Sequence, residues 1–580
     1  MLKFLRKYSS VRRFLCLCLV IVMAGTLCSC NIINRLLTAL LTPERRTIPF
    51  SEMTYARPDF KSYQFTVETL TKQIKENKLS YKRQLSGLRD LNQAYWQYYT
   101  MYSLCYIYYA LDTTNTFYTE EYTFFGETNP EMQAVMEDLF VACAKSKHKK
   151  RFESDYFGEG YLDTYTGGGQ YSPELVALLQ QEAQFLQAYH QAAGKGTVLY
   201  LGQERLLSQL LADAKSETER KNILDAYKQQ TNKTLGNIYV SLVKTRLQIA
   251  DLLGYDAYAD YAYSKLERDY TAQMGAEFVA QVEQYLVPLY ETLCKKGVDY
   301  PSLPSLAWED ILPITGKSLS NMDPLIKEVY TFLEEYELYD VSPSHSKINQ
   351  EFTTYIENYD APFMIINPRG NSDDLLAFAH EFGHFTDMYV NYNTNYTLDL
   401  SECASMTMEY LFMSHLPQDK VDLKENLEGY KMYDTLYVYV VQSAYTAFEQ
   451  AVYQLSPEEV TRSKINAIAK DVADRFGIQG EDGDFGLTWT WVPHFYEQAF
   501  YCISYCFSND IAFQIYQAEC DKAGDGVSLY LDLIHWDLEQ TFLENIERVG
   551  LVNPCSENRI TEIRNFLSTY YGYYSQQAVA

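Results

Sequence analysis

The sequence predicts a mostly helical globular protein with a small β element, and three observations support this fold class. Helix-start patterns recur along the chain: serine before proline and glutamate at residues 172–174, a capping-box spacing from Ser216 to Glu219, and both devices together at residues 456–459. Hydrophobic residues make up 47% of the chain and charged residues 22%, which is typical of a folded protein with a core. Two short strand-like runs lie between residues 352 and 366.

A helix buried on most sides is predicted from Ala94 to Leu111, because this segment is apolar or aromatic nearly all round. Much of it is tyrosine, of which the chain has 53. Tyrosine combines a large apolar ring with a polar hydroxyl, so it suits both packing and half-wet cavities. Composition alone leaves open whether the tyrosines line a binding space or pack helices together.

The clearest breaks in the helical pattern are rich in proline and lie between Pro301 and Pro324, with a further break at residues 342–346. These breaks divide the body into an N-terminal helical lobe at residues 50–349 and a C-terminal region at 350–580, which carries the chemical motif described below. Before the body we predict a signal peptide at residues 1–29 and a tether at 30–49.

The first thirty residues have the features of an export signal. A basic start without acidic residues precedes the apolar run Phe14–Leu27, which is shorter than the about 20 residues that a membrane span needs. The run ends in the sequence LCSC, which resembles the bacterial lipoprotein box and implies cleavage before Cys30 and its lipidation. We therefore predict an exported, extracytoplasmic protein that is lipid-anchored to the bacterial membrane. An ordinary secretory signal or an uncleaved anchor is the alternative.

The chain is acidic, with 76 acidic and 49 basic residues and a formal net charge of −27. This disfavours a nucleic-acid partner, because phosphate neutralisation needs clustered lysine and arginine. An anionic membrane would also repel the body, so lipid on Cys30 rather than charge would hold it there. Apolar residues at helical spacing between Ile32 and Leu41 form either a short interfacial helix or a segment docked on the body. The sequence does not indicate an oligomeric state.

The β-prone runs Phe352–Ile356 and Phe363–Ile366 precede the segment that carries the chemistry. A turn at residues 369–371 separates them from a predicted helix. Ser372 is the expected N-cap of this helix, and the aspartates that follow are favoured by the helix dipole. The sequence therefore places a small β element directly before this helix.

The predicted helix contains the sequence HEFGH at residues 380–384, which matches the HExxH pattern. His380 and His384 are four residues apart, so both imidazoles lie on one helix face and can reach one metal ion. Glu381 lies about 100° further round, where it can take a proton from a water molecule beside the metal. The alternative, two structural histidines beside a glutamate, is disfavoured by the neighbouring residues.

A zinc ion in a catalytic site needs a third protein ligand and one open position. The glycine and histidine that metzincins require downstream are replaced by Asp387 and Val390, which excludes that class. The predicted helix after residue 400 carries two glutamates seven residues apart, which places them on one face. We predict Glu402 as the third ligand of one zinc ion per chain, and Glu409 as a hydrogen-bond partner of a ligand histidine. For Glu409 a solvated helix acid is the alternative.

Together these segments resemble the thimet oligopeptidase and oligoendopeptidase F family of zinc metallopeptidases. The resemblance is carried by Phe50–Asp59, Ala361–Asn367, Leu375–His384, Ser401–Tyr410, Pro493–Tyr496 and Phe500–Tyr505. It implies a neurolysin-like, two-lobed helical fold with a deep central channel that admits short peptides and excludes folded proteins. Two departures are Asp387, where the family often has histidine, and a short gap between His384 and Glu402.

The resemblance also implies roles for individual residues. Tyr505 and His494 would stabilise the oxyanion, and Tyr501 would be an additional donor to the substrate. An unpaired strand edge beside the zinc helix would accept an extended peptide through main-chain hydrogen bonds. The residues of that strand are Phe363, Met364, Ile365, Ile366 and Asn367. The glycine-bearing segment 523–526 is either a flexible loop near the active site or a plain helix connection.

The predicted function is that of a zinc-dependent metalloendopeptidase acting on short oligopeptides. Zinc held by His380, His384 and Glu402 would activate water, and Glu381 would act as general base and then return the proton to the leaving amine. Two alternatives stay open: a non-catalytic peptide-binding lipoprotein, and a zinc exopeptidase of the carboxypeptidase or dipeptidase type. Glu381 argues against a pure binder, which has no need of a general base.

Overall fold

The structure is a computed structural model that describes residues 45–298, 302–348, 351–392, 397–479 and 483–572. The predictions for residues 1–29, for Cys30 and for the apolar residues 32–41 therefore lie outside the described part. Residues from Ile48 onward belong to one compact unit, and the division of the body at residue 350 stays a prediction. None of the described helices has the length and the apolar character that a bilayer span needs.

The first part of the described chain is helical, as the sequence predicts. Ser172 accepts the Leu175 N–H and Ser216 accepts the Glu219 N–H, so both predicted helix starts are confirmed. In chain order the helices are α1 (Phe60–Lys75), α2 (Tyr81–Leu111), α3 (Thr116–Ala144), α4 (Lys149–Phe152), α5 (Pro173–Ala193), α6 (Leu207–Asp213), α7 (Glu217–Leu252), α8 (Tyr258–Lys265), α9 (Ala272–Tyr285), α10 (Val287–Lys295), α11 (Ile311–Ser320) and α12 (Pro324–Glu335). A short antiparallel hairpin, β1 (Thr197–Tyr200) and β2 (Gln203–Leu206), joins α5 to α6.

The aromatic helix predicted from Ala94 to Leu111 is the second half of α2, and most of it is buried. Tyr98 and Tyr109 are each 2% exposed, and Tyr109 stacks on Tyr122 of α3 with 4.8 Å between the ring centroids. Only the start of the segment reaches solvent, where Trp96 is 43% exposed. Packing between helices therefore accounts for this group of tyrosines.

The small β element is a three-stranded sheet of β3 (Tyr339–Asp340), β4 (Phe352–Ile356) and β5 (Ala361–Ile365). The strand order is β3–β5–β4, with β3 parallel and β4 antiparallel to β5. Both predicted strands are confirmed, although the second begins two residues earlier than expected.

The predicted unpaired edge at Phe363–Asn367 is wrong for this sheet. Met364 and Ile365 pair with β3 on one side and with β4 on the other, so β5 is the central strand. The pairing with β3 involves only two residues, which is too short a strand to recognise from a sequence pattern. Among the described strands, β4 pairs with β5 alone and forms the edge nearest the HExxH helix.

The remaining chain is helical again and carries the metal-binding pattern. The helices are α13 (Asp373–Asn391), α14 (Leu398–Ser414), α15 (Val421–Tyr453), α16 (Arg462–Phe476), α17 (Phe485–Thr488), α18 (His494–Glu497), α19 (Cys502–Asp521), α20 (Asp525–Ile534), α21 (Phe542–Arg548) and α22 (Arg559–Tyr570). Helix α14 packs against both α13 and α19, which places it at the centre of the site.

The helix start predicted at residues 456–459 is wrong. These residues form a turn in which the Glu459 carboxylate accepts the backbone N–H and the hydroxyl of Ser456. Only the glutamate half of a capping box forms, because the Glu459 N–H donates to the Ser456 carbonyl oxygen and not to its hydroxyl. The helix begins only at Arg462, where Thr461 is extended and accepts the Lys464 N–H.

At the start of α13, the expected serine cap is also wrong. The Ser372 side chain makes no capping hydrogen bond, and the Asn371 side chain accepts the Asp373 N–H at 2.8 Å instead. The Asp374 carboxylate accepts the N–H groups of residues 369–371. The turn before the helix is therefore folded around Asp374, and this fixes where α13 begins.

The glycine-bearing segment 523–526 joins α19 to α20. Gly524 has φ +91° and donates its N–H to the Glu519 carboxylate. A Cβ at Gly526 would lie 2.7 Å from the Ile515 carbonyl oxygen. Backbone conformation and close packing account for both glycines, which favours the plain helix connection.

Candidate metal centre and cleft

Three side chains from two neighbouring helices converge on one point. His380 and His384 lie one turn apart on α13 with ring centroids 4.9 Å apart, and Glu402 comes from α14. Glu402 Oε2 lies 3.5 Å from His380 Nε2, and Oε1 lies 3.8 Å from His384 Nε2. One ligand atom of each residue lies within 4.8 Å of the others. The structure therefore brings together the three residues predicted as metal ligands.

Gly383 determines how closely the two helices approach. A Cβ at this position would lie 2.4 Å from Ser405 Cα and 2.6 Å from the Ala404 carbonyl oxygen. Carbon atoms do not approach backbone this closely, so a larger residue would push α13 and α14 apart. The glycine inside the HExxH sequence thus allows Glu402 to reach both histidines.

The second ring nitrogen of each histidine has its own partner. His380 Nδ1 lies 2.8 Å from Glu409 Oε1, and His384 Nδ1 lies 3.0 Å from Ser401 Oγ. Because these contacts engage Nδ1, the Nε2 atoms that face Glu402 are the nitrogens available to a metal. Burial lowers the pKa of His384 well below its ordinary value, so this ring is neutral and keeps a lone pair.

Glu409 belongs to a buried network of charges. Lys431 Nζ of α15 lies 2.6 Å from Glu409 Oε2 and 2.8 Å from Asp434 Oδ2. Burial would raise the pKa of Glu409, but the charge of Lys431 and the hydrogen bond to His380 lower it. Burial likewise opposes a charged His380, yet the contact with Glu409 raises the pKa of this imidazole to about 9. A metal at Nε2 would therefore displace a proton from this ring.

Glu381 lies beside the ligands and is 5% exposed. The Thr353 hydroxyl of β4 lies 2.8 Å from Glu381 Oε2 and 3.0 Å from its carbonyl oxygen. Burial raises the pKa of Glu381 to about 7. A carboxyl group with a pKa near neutrality both accepts and releases a proton readily, which suits a general base.

The aromatic residues predicted to act on the substrate lie together in residues 494–505. His494 and Tyr501 stack with 4.8 Å between ring centroids, and the Tyr505 hydroxyl lies 3.5 Å from His494 Nε2. Burial lowers the pKa of His494 and raises that of Tyr505, so the imidazole is neutral and the phenol keeps its proton. The Tyr501 hydroxyl donates to Glu402 Oε1. Tyr501 therefore contacts the predicted metal ligand Glu402, whereas the sequence predicted a contact with substrate.

The metal centre opens on a cleft of about 380 Å³, a volume within the range of small-ligand pockets. Four residues with predicted chemical or ligand roles border it, and several acidic side chains share its wall. Arg369 pairs with two of these acids, at 3.5 Å from Glu351 and 3.6 Å from Asp373. The bordering residues used in the following sections are His380, Glu381, Glu409, His494, Tyr505, Glu351, Asp373 and Asp434.

Sequence reasoning did not find Thr353, Ser401 or Lys431. No pattern marks the first two, because the sheet register and the helix crossing bring them to the site. Lys431 did have a signal, since Leu427, Lys431 and Thr435 recur every four residues along a buried face of α15. A lysine in such a row needs a buried acidic partner.

Comparison with known proteins agrees with this fold and identifies a family. The Peptidase M3 N-terminal domain model matches residues 50–164, and the Peptidase family M3 model matches residues 326–544, together more than half of the chain. Oligopeptidase PepF of Bacillus subtilis (strain 168) is 24% identical over 256 residues. That alignment covers 40% of this chain and only 37% of the relative's length.

Two solved structures share the fold over nearly their whole length. PZ peptidase A, solved with an inhibitor, has a TM-score of 0.77 and 25% identity, and the match covers 91% of this chain and 99% of that one. A protein assigned as an oligoendopeptidase F from Bacillus anthracis str. Ames has a TM-score of 0.73 and 24% identity, with the same coverage. Fold and site thus define a helical protein of the peptidase class. The chain belongs to peptidase family M3.

Proposed function

We propose that the protein is a zinc-dependent metallo-oligopeptidase that hydrolyses internal bonds of short peptides. The observation that carries this proposal is the convergence of His380, His384 and Glu402 beside the buried Glu381, at the wall of a cleft. Membership of peptidase family M3 supports hydrolysis of peptide bonds. A relative named as an oligopeptidase supports short substrates.

The three ligand residues fit zinc in type and in spacing. Zinc binds nitrogen and oxygen ligands at about 2.0–2.1 Å in tetrahedral geometry, which places ligand atoms about 3.4 Å apart. Glu402 Oε2 lies 3.5 Å from His380 Nε2 and Glu402 Oε1 lies 3.8 Å from His384 Nε2, and one ligand atom of each of the three residues lies within 4.8 Å of the others. Two histidines and one glutamate also leave one position open, as catalytic zinc sites do. Bound zinc would supply a Lewis acid that lowers the pKa of water to about 7 and polarises the substrate carbonyl.

Glu381 is the proposed general base. Its pKa of about 7 allows the carboxylate to take a proton from the attacking water near neutral pH. The resulting carboxylic acid can return that proton to the amine that leaves when the peptide bond breaks. The contact with Thr353 restricts rotation of the carboxylate, so the base keeps its orientation between the two transfers.

Tyr505 and His494 are the proposed donors to the oxyanion. Both border the cleft, and both carry a proton that they can donate when the carbonyl oxygen becomes negative. One such donor contributes about 10²- to 10³-fold to the rate in comparable sites. We assign Tyr501 a different role, because its hydroxyl donates to Glu402 and can orient that ligand.

The substrate backbone is proposed to pair with the outer edge of β4, which is an edge strand among the described strands. This strand lies beside α13, since its Thr353 contacts Glu381. Main-chain pairing at a strand edge holds an extended peptide without reading its side chains. The central position of β5 removes Phe363–Asn367 from this role.

Export and lipid anchoring at Cys30 stay part of the proposal and rest on the signal-like sequence of residues 1–30. Peptides outside the cytoplasmic membrane would then be the substrates. Mass spectrometry of the purified mature N-terminus tests this point. A lipid-modified Cys30 supports anchoring, whereas an N-terminus that retains residues 1–29 excludes it.

The decisive experiment is cleavage of a mixed peptide library by the purified protein, with and without a chelator, followed by mass spectrometry of the products. We expect chelator-sensitive cleavage at internal bonds. Release of only one or two terminal residues would indicate an exopeptidase. Peptide binding without any hydrolysis by zinc-loaded protein would indicate a binding lipoprotein.

Glu381→Gln with Glu357→Gln as matched control tests the role of the base. We expect Glu381→Gln to lower kcat by about 10²- to 10⁴-fold and to retain about one zinc per chain. Glu357 is a half-buried glutamate between β4 and β5, and partial burial raises its pKa to about 7, but it contacts Ser103 and lies outside the cleft. Its substitution should leave kcat unchanged. Loss of zinc from Glu381→Gln would make Glu381 a structural residue instead.

A further inference from the structure

The proposed donors His494 and Tyr505 lie with Tyr501, the partner of Glu402, on a bent stretch of chain, residues 494–505, which is called the donor segment below. Helix α18 ends at Glu497 and α19 begins at Cys502, so no continuous helix spaces the three side chains. Phe500 lies between the two helices with φ +61°, in the left-handed region that is unfavourable for a residue with a side chain. Such a backbone persists only where neighbouring groups hold it in place.

Buried ionisable groups hold Phe500 from two sides. Its N–H donates to both oxygens of Glu449 at 3.0 Å, and its carbonyl oxygen accepts from the Arg268 guanidinium at 2.8 Å. Glu449 is fully buried on α15, and Arg268 lies between α8 and α9. Side chains from two distant parts of the sequence thus fix the bend.

Arg268 reaches further than this one carbonyl. The guanidinium also donates to Ser504 Oγ at 2.7 Å, and its Nε lies 3.6 Å from Asp399 Oδ2. Asp399 lies on α14, three residues before the predicted ligand Glu402. A single side chain therefore contacts the helix that carries the third ligand and the segment that carries the donors.

Stability alone is a weak explanation for this arrangement. Both side chains of the Arg268–Asp399 pair are 0% exposed, and taking two charges out of water costs more than burying apolar residues of similar size. The rings of Tyr263 and Tyr270 lie 4.5 and 5.4 Å from the guanidinium carbon, which restricts the arginine further. The guanidinium is buried, restricted in its motion and in contact with both α14 and the donor segment. Such a group can keep a fixed distance between these two parts of the structure.

We propose that Arg268 is a positioning residue, which sets the separation between the ligand helix α14 and the side chains of Tyr501 and Tyr505 through its contacts with Asp399, Phe500 and Ser504. The inference rests on the proposed peptidase function. It assigns a catalytic consequence to a residue that lies far outside the HExxH region in sequence. The planar guanidinium is essential to it, because a lysine ammonium is a point charge that cannot reproduce the bridge.

The first test is the kinetics of Arg268→Lys on a peptide from the library that the wild-type enzyme cleaves. Zinc content is measured on the same sample. A displaced donor weakens stabilisation of the transition state more than binding of the substrate. We expect kcat to fall about 10- to 100-fold, KM to change by less than about threefold, and zinc to stay near one per chain. Arg475→Lys is the control, because Arg475 pairs with Glu283 at the surface.

A double-mutant cycle with Tyr505→Phe separates positioning from general loss of structure. If Arg268 acts through Tyr505, the kcat of the double variant Arg268→Lys/Tyr505→Phe should be no more than about threefold below that of Tyr505→Phe alone. Fully additive losses, unchanged kcat in Arg268→Lys, or loss of zinc in proportion to activity would each overturn the proposal. Should Arg268→Lys fail to fold, Ser504→Ala removes one contact of the bridge and enters the same cycle with the same criterion.

The two proposals fail in distinguishable ways. If the zinc-loaded wild-type protein cleaves no peptide, the proposed peptidase function is wrong, and there is no reaction for Arg268 to serve. An active wild-type enzyme with full activity in Arg268→Lys removes the positioning role alone.

Discussion

The ligands and the donors of this site are built in different ways. His380, His384 and Glu402 lie on two unbroken helices, α13 and α14, which cross at Gly383. The donor segment is instead interrupted between α18 and α19 and includes the left-handed Phe500. Helix geometry fixes the ligands locally, whereas contacts from residues more than 200 positions away fix the donors, as Arg268 does.

This difference has a functional reading. A metal site needs a constant ligand geometry, which helical spacing supplies directly. Oxyanion donors must lie at a set distance from an atom that moves during the reaction, and that distance belongs to the packing of the whole body. Substitutions on the ligand helices should therefore change metal affinity, and substitutions of the proposed donors His494 and Tyr505 should change kcat with the metal retained.

The largest effect is expected on the donor side, for Tyr505→Phe. Removing the hydroxyl deletes a donor that borders the cleft without touching a metal ligand. We expect kcat to fall about 10²- to 10³-fold while zinc content stays near one per chain. Steady-state kinetics together with metal analysis measure both quantities. A fall in zinc content parallel to kcat would mean that the two sides are not independent.

The next largest effect is expected on the ligand side, for Gly383→Ala. The added Cβ would lie 2.4 Å from Ser405 Cα, so the two helices must separate. Overpacking of this kind costs about 1–3 kcal/mol, and 3 kcal/mol placed on metal binding lowers zinc affinity about 100-fold. Competition with a chromogenic chelator measures the affinity.

Gly126→Ala is the matched control for this substitution. Gly126 also lies inside a helix, but a Cβ there would lie 3.5 Å from Ala183 Cβ, an ordinary contact. Zinc affinity and kcat should both stay at the wild-type level. Equal losses in the two variants would show that the crossing at Gly383 has no special role.

The contrast also explains which features the sequence could predict. The HExxH spacing and the glutamates seven residues apart depend on helix geometry, so the structure places Glu402 and Glu409 at the histidines as expected. The family resemblance pointed to His494, Tyr501 and Tyr505, and these residues do lie together.

The remaining features depend on contacts between distant parts of the chain, and sequence reasoning missed or misplaced them. Tyr501 contacts Glu402 because α19 packs on α14, and no local pattern encodes that packing. The two-residue strand β3 places β5 at the centre of the described sheet, which makes β4 an edge strand instead. Arg268 had no signal in its own neighbourhood, since its partners come from α14 and the donor segment.

A smaller effect on the ligand side is expected for Glu409→Gln. The amide can still contact His380, but it no longer carries the charge that pairs with Lys431. Substituting a partner that orients a ligand histidine typically lowers metal affinity about 10- to 100-fold. We expect metal affinity to fall about 10-fold, at the lower end of this range, because Asp434 still pairs with Lys431. The chelator competition measures it, and an unchanged affinity would remove the role of Glu409 in metal binding.

The smallest effect on activity is expected for Glu449, which holds the donor segment at Phe500 and should act on the pH dependence of stability instead. Burial raises the pKa of this carboxyl to about 8, so the folded state binds its proton more tightly than the unfolded state does. The contribution of protonated Glu449 to the free energy of unfolding is therefore complete below about pH 4.5 and is lost as pH rises towards 8.

In Glu449→Gln this dependence should disappear, because the amide is neutral throughout and its oxygen can still accept the Phe500 N–H. Urea denaturation at pH 5 and pH 8 compares the two proteins. We expect the variant to gain stability relative to wild type with rising pH, on the order of a few kcal/mol. A constant difference at both pH values would mean that Glu449 keeps its charge when buried, held by the surrounding arginines. The donor segment would then depend on charge pairing, and its geometry would be as insensitive to pH as that of the ligand helices.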